Sequence, residues 1–141
     1  MAAPPPRARR LLAELLGSAF LAAVVIGSGI AVQQLSSGNT GLELLENAAA
    51  TAAGLFAIIL MFGRISGGHI NPVASLIDAS FGGISRRDAL ADLPAQVTGC
   101  VLGTLVANAM FALAAVSIST HHRAAPRTCS WRSSRPSVRC W

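Results

Sequence analysis

The chain has 141 residues, of which 52% are hydrophobic and only 12% charged, and its mean hydropathy is +0.56. A soluble domain of this size is rarely so apolar, so the composition points to the membrane. All eleven basic residues are arginine; six of them and all six acids fall within residues 1–120, which are therefore neutral, so the net charge of +5 belongs to the last 21 residues and gives no ground to expect a nucleic-acid partner.

Residues 1–10 form a short Pro/Ala/Arg segment. The run 11–35 carries one charge, Glu14. As a helix it would reach roughly 37 Å, enough to cross a hydrocarbon core of ~30 Å with some tilt. It is too long for the apolar part of a signal peptide, and Glu14 fits that reading poorly. Ser36-Ser37-Gly38-Asn39-Thr40-Gly41 is a turn-rich connection without a basic residue. A second apolar helix is expected over 44–63.

Then comes Ser66-Gly67-Gly68-His69-Ile70-Asn71-Pro72-Val73. Asn is a favoured helix N-cap and Pro suits the first helical position, while the two glycines permit backbone conformations closed to other residues. The pattern predicts an extended polar segment that starts a helix over 72–82. Ten or eleven residues give ~16 Å, half a membrane. Irregular backbone at membrane depth survives only where protein buries it or where it lines a watery cavity. The stretch is therefore a candidate pore element. Without its neighbours, Asn71-Pro72 would be an ordinary turn signal and His69 a structural histidine. Asp78, near the far end of the half-helix, opposes the dipole and reads as a solvated residue.

Ser85 followed by Asp88 resembles a capping box. It opens a third long helix over 86–116, with Pro94 as a possible kink near its start. Small residues recur at helical spacing as Ala23/Gly27/Ala31, Ala50/Gly54 and Gly99/Gly103/Ala107, which predicts close helix packing. The N-terminal arginines, Arg64 and Arg86-Arg87 mark one side of the membrane as cytoplasmic, and the 36–43 connection marks the other. The N-terminus is thus expected inside the cell, in a multi-pass protein of the cell membrane.

Taken together these residues resemble the aquaporin and glycerol-facilitator family. Gly67-Gly68-His69-Ile70-Asn71-Pro72-Val73 is similar to that family's first Asn-Pro-Ala signature, with Val73 in place of Ala. Ala13-Glu14 is similar to its Ala-Glu motif in helix 1, and Ala95-Gln96 with Gly99 to its Ala-Gln-x-x-Gly motif in helix 3. The resemblance covers about residues 9–120. It implies an all-α membrane fold in which 11–118 form the first of two inverted repeats, with three spanning helices and one re-entrant half-helix.

It also implies roles. Asn71 would donate its amide to a passing solute, Pro72 would start the half-helix and Val73 would sit at the constriction. The carbonyls of Gly67, Gly68 and His69 would form a ladder of acceptors. Glu14 and Gln96 would be buried and would satisfy the donors of the loop. Thr51 falls where the family places the helix-2 member of its outer filter. The implied function is passive passage of water or small neutral solutes such as glycerol or metalloid hydroxides, in a lipid bilayer, by a homo-oligomer (a tetramer) if full length. No cofactor, metal or catalytic set is expected, since no nucleophile–base pair or metal cluster stands out. The other reading is a non-transporting membrane protein that associates with full-length channels.

Residues 119–141 break the pattern. They hold five arginines, both tryptophans and two of the three cysteines. Moving the reading frame back one base across Arg127–Val138, with GC-rich codons, yields Ala-His-Leu-Leu-Val-Glu-Val-Val-Ala-Thr-Phe-Gly. That resembles the start of the family's fourth helix. The tail is therefore expected to be frameshifted and outside the fold, leaving a truncated chain that does not conduct alone.

Overall fold

The computed structural model describes residues 5–116; the basic tail at 119–141 lies outside them. The described residues form four helices, α1 (Arg7–Leu35), α2 (Thr40–Ser66), α3 (Pro72–Ser80) and α4 (Arg86–Met110), and no strand. Three of them are long and apolar enough to cross a membrane. The fourth, α3, has 9 residues, about 14 Å of helix.

The boundaries differ from the sequence expectation where local capping overrides hydropathy. α1 starts at Arg7, right after Pro6, rather than at residue 11. Its first turns carry Arg7 and Arg10 toward acids of α4. α2 starts at Thr40 rather than 44, because Asn39 caps it by accepting a hydrogen bond from the Leu42 amide at 3.2 Å. It continues to Ser66, where Gly67 adopts a left-handed φ of 91° and ends it.

α3 stops at Ser80 rather than 82, and α4 at Met110 rather than 116. Both ends are six-to-one turns. The Gly83 amide donates to the Asp78 carbonyl at 2.9 Å around Gly82, and the Leu113 amide donates to the Asn108 carbonyl at 2.9 Å around Ala112. Ala112 takes a φ of 53° there, a conformation that hydropathy does not report. The Asn108 side-chain amide holds the turn by donating to the Ala115 carbonyl at 3.1 Å. α4 passes through Pro94 as one helix. Ser85 caps it by accepting from the Asp88 amide at 3.1 Å, and its hydroxyl donates back to the Asp88 carboxylate at 2.7 Å.

α1 is the central helix. It packs on α4 along one side and on α2 along another, and α3 packs on α4. Two of the three small-residue stripes lie in these contacts. A Cβ on Gly99 would overlap the Leu15 carbonyl, and one on Gly103 the Ala19 carbonyl; Ala107 continues the seam, fully buried. A Cβ on Gly54 would come within 2.8 Å of Val24. The third stripe, Ala23/Gly27/Ala31, instead lines an open apolar groove of about 410 Å³ with Phe20, Met110 and Phe111.

The interior is inverted relative to a soluble protein. Glu14, Ser18, Ser75, Asp92 and Gln96 are the largest fully buried side chains, while Phe56, Leu60, Met61, Val101 and Val106 are exposed. Lipid tails are as apolar as leucine, so burying large side chains between helices gains little. Close packing and hydrogen bonds hold the bundle instead.

Candidate pore-lining site

The segment between α2 and α3 folds back onto the centre of the bundle because its backbone is held from below. Glu14, on α1, is completely buried. Its Oε1 accepts the His69 amide at 3.2 Å and its Oε2 accepts the Ile70 amide at 2.7 Å. Four residues along α1, the Ser18 hydroxyl donates to the Ile70 carbonyl at 3.2 Å. Both sides of residue 70 are thereby fixed. An unpaired carboxylate or amide at such depth costs several kcal/mol, so charge and loop satisfy each other.

That clamp holds an unusual backbone. Gly67, Gly68 and Ile70 have φ of 91°, 69° and 53°. Positive φ is ordinary for glycine, but for a β-branched residue it is a strained state of order 1–3 kcal/mol. The Ile70 side chain is 3% exposed and packs in a small apolar cluster with Ala13, Ile58 and Phe62. Gly17 faces it with space for little else: a Cβ there would stand 3.2 Å from Ile70 Cγ1.

Gln96, on α4, ties the half-helix to this clamp. It is fully buried, and its Nε2 donates to Glu14 Oε2 at 2.7 Å and to the Ser75 hydroxyl of α3 at 2.8 Å. Its bonds are thus to side chains; of the two residues assigned to loop support, Glu14 alone meets the loop's backbone directly. Asn71 caps α3 through its Oδ1, which accepts the Val73 amide at 2.9 Å. Its amide group makes no hydrogen bond with the described residues, nor do the carbonyls of Gly67, Gly68 and His69 accept any. Gly67, Asn71 and Val73 are exposed, Val73 at 61%. Among the described residues, acceptors without a partner at 67–69 are thus followed in the chain by a donor without one on Asn71, at a helix N-terminus.

One expectation is modified. The His69 ring turns to α3, where its Nε2 lies 3.2 Å from Asp78 Oδ2. Asp78 is therefore the partner of His69, and Gly83 packs so close to it that a Cβ would overlap the carboxylate. Thr51 lies away from the loop, in the first half of α2. It is half-buried, bonds Asn47 at 3.2 Å, and lies about 22 Å along α2 from Ser66.

Sequence reasoning missed Ser18, Ser75, Arg10 and Asp92. Each stands four residues from a residue that it singled out: Glu14, Asn71, Glu14 and Gln96. On a helix that spacing is one face, and it could have found all four.

The major intrinsic protein family model matches residues 2–133. The chain belongs to the major intrinsic protein family. The chain is also 41% identical over 118 residues to the aquaglyceroporin AqpS of Rhizobium meliloti, covering 84% of this chain and 50% of that protein. It is 33% identical to the probable aquaporin NIP7-1 of Arabidopsis thaliana, over 79% of this chain and 40% of that one. With Aquaporin-8 of Rattus norvegicus it shares 37% identity over 67% of this chain and 34% of that one. The chain thus spans about half the length of AqpS and less of the others. No solved structure matches the chain significantly. The four helices correspond to the first half of the aquaporin fold. The family match reaches residue 133 and so includes part of the basic tail.

Proposed function

We propose that this chain supplies one wall of a passive transmembrane channel for water or small neutral solutes. The observation that carries this reading is that, among the described residues, no hydrogen bond reaches the carbonyls of Gly67, Gly68 and His69 or the side-chain amide of Asn71 at the α3 N-terminus. Successive acceptors replace the hydration of a polar neutral solute, and the Asn71 amide donates to it. The helix N-terminus carries about half a positive charge and disfavours cations. Val73 sits at the constriction and Thr51 in the outer filter. A small Thr51, together with the relative named as an aquaglyceroporin, favours solutes of the size of glycerol or metalloid hydroxides beside water.

A midplane constriction needs two opposed half-helices, and the described residues contain one. We infer that these 141 residues do not conduct alone. The arginines of the α1 start, the α2 end and the α4 start support a reading with the N-terminus in the cytoplasm of a cell-membrane protein. The complete channel assembles as a homo-tetramer.

The test is a chimera in which residues 5–116 replace the matching half of the Rhizobium relative, reconstituted in proteoliposomes. Swelling in a glycerol gradient above that of empty liposomes is expected, with loss on Val73→Trp. A correctly inserted chimera that passes neither water nor glycerol overturns the reading. A second reading, association with full-length channels without transport, is favoured by the apolar groove that the described residues leave open on α1, lined by Ala23, Gly27 and Ala31. Co-expression that changes a full-length channel's flux, with no flux from the chimera, would select it.

A further inference from the structure

Where α3 meets α4 the bundle carries a groove that the pore reading does not use. α3 finishes at Ser80 and α4 begins at Arg86, so the two helices share the edge closed by the 81–85 connection. The space between them is about 320 Å³. Leu76 and Ala79 line it from α3, Ala89 and Leu90 from α4, and Ser80 and Arg86 stand at the end nearest the connection. The lining stretches 76–80 and 86–90 are each roughly 6 Å of helix.

The chemistry along this groove runs in the order of a phospholipid. α4 is long and apolar enough to cross a membrane, and Arg86 is its first residue, so the Arg86 end lies at the membrane surface. There the groove offers a guanidinium and the oxygen of the Ser80 hydroxyl, whose proton goes to the Leu76 carbonyl at 2.8 Å. One turn deeper on each helix stand Leu76 and Leu90, both exposed.

The charge at the rim is uncompensated. Among the described residues Arg7 and Arg10 pair with Asp88, Arg10 also with Asp92, and His69 with Asp78, while no acid lies within ion-pair distance of Arg86 or Arg87. Asp88, two residues from Arg86, is engaged by Ser85 and by both N-terminal arginines and does not line the groove. A guanidinium binds phosphate through two parallel N–H donors and is weakly hydrated. Basic pockets between spanning helices suit anionic headgroups.

We propose that this groove binds one anionic glycerophospholipid, with its phosphate on Arg86 and the first part of an acyl chain against Leu76 and Leu90. A purely apolar occupant, such as a helix face, would leave the Arg86 guanidinium without an acceptor; a phospholipid supplies one and fills the apolar part as well. The site is separate from residues 66–73 and does not depend on conduction.

The test is native mass spectrometry of the full chain released from detergent, titrated in separate runs with dioleoylphosphatidylglycerol and dioleoylphosphatidylcholine, which share their acyl chains and differ in net charge. The one-lipid complex with phosphatidylglycerol should be about fivefold tighter. Arg86→Gln should remove that preference. Arg87→Gln, which removes the same charge beside the groove, should keep it. Ala79→Phe, which places a ring in the groove, should weaken phosphatidylglycerol binding with no change in charge. Millimolar sn-glycerol 3-phosphate should leave the lipid complex unchanged, which separates a lipid from a free phosphate. Equal affinity of the parent for the two lipids overturns the proposal. So do equal losses in Arg86→Gln and Arg87→Gln, which mark general attraction to a basic surface, competition by glycerol phosphate, or parent-like binding by Ala79→Phe. Arg86 and Arg87 are both exposed, so their exchange leaves the packing intact, and that pair decides the proposal even if Ala79→Phe does not fold. No solute flux enters this measurement, so a failure here is separate from a failure of the chimera to conduct.

Discussion

Glu14 Oε2 stands 2.7 Å from the amide nitrogen of Ile70, a buried β-branched residue held at a φ of 53°. Helix 1 thus fixes a strained peptide 56 residues further along the chain. Strain of this kind persists only where the surroundings over-determine it. Here they do so three times, through Glu14 on the amide, Ser18 on the carbonyl, and Gly17 with Ile58 against the side chain.

Glu14→Ala removes the acceptor from two buried backbone donors. Each donor left unpaired costs about 1–3 kcal/mol. The chain should unfold at markedly lower denaturant in mixed micelles, and Glu14→Gln should lie between Glu14→Ala and the parent because one acceptor oxygen remains. Equal stability of Glu14→Ala and the parent would contradict the clamp.

Ile70 reverses a usual ranking. Truncating a buried Ile to Ala costs roughly 2–5 kcal/mol, and Ala keeps the left-handed penalty. Gly loses the same contacts and removes that penalty, worth about 1–2 kcal/mol. Ile70→Gly should therefore be more stable than Ile70→Ala in the same unfolding assay. The opposite order would mean that residue 70 is not held at positive φ in the bilayer.

The glycines of α4 differ from that of the α1 groove. Gly103→Ala places a methyl on the Ala19 carbonyl and Gly99→Ala one on the Leu15 carbonyl. Either should separate α1 from α4 and cost about 1–3 kcal/mol. Gly27→Ala meets only Phe111, at 3.6 Å, and should be close to neutral. Melting temperatures in detergent, compared across the three, decide it.

The basic tail has a test at the level of DNA. Our reading of residues 127–138 as frameshifted predicts that resequencing codons 124–130 reveals a one-base change, after which the frame encodes a fourth apolar helix with its own Glu. An unchanged sequence with no such helix in the shifted frame would remove that reading.

The positions of α3 and of its cap were legible because local chemistry decides them: Asn is a favoured N-cap, Pro suits the first helical position, and an apolar run follows the pair. The ends of α3 and α4 were not. They depend on six-to-one turns around Gly82 and Ala112, and an alanine at positive φ leaves no mark in hydropathy. Asp78 looked solvated because its partner His69 lies across the loop, on a part of the chain that the helix pattern of α3 does not include.

By itself the sequence determined the membrane-crossing character, the polar break between α2 and α3, and the cap that starts α3. Length, apolar runs and capping residues are short-range properties, and short-range energetics sets them. Only the tertiary structure decided which buried groups meet. Glu14 reaches the loop, Gln96 reaches Glu14 and Ser75, and Arg10 reaches Asp92. Those pairings span 21 to 82 residues, and they form because a polar group buried in an apolar bundle has no water to turn to and must find its partner on another helix.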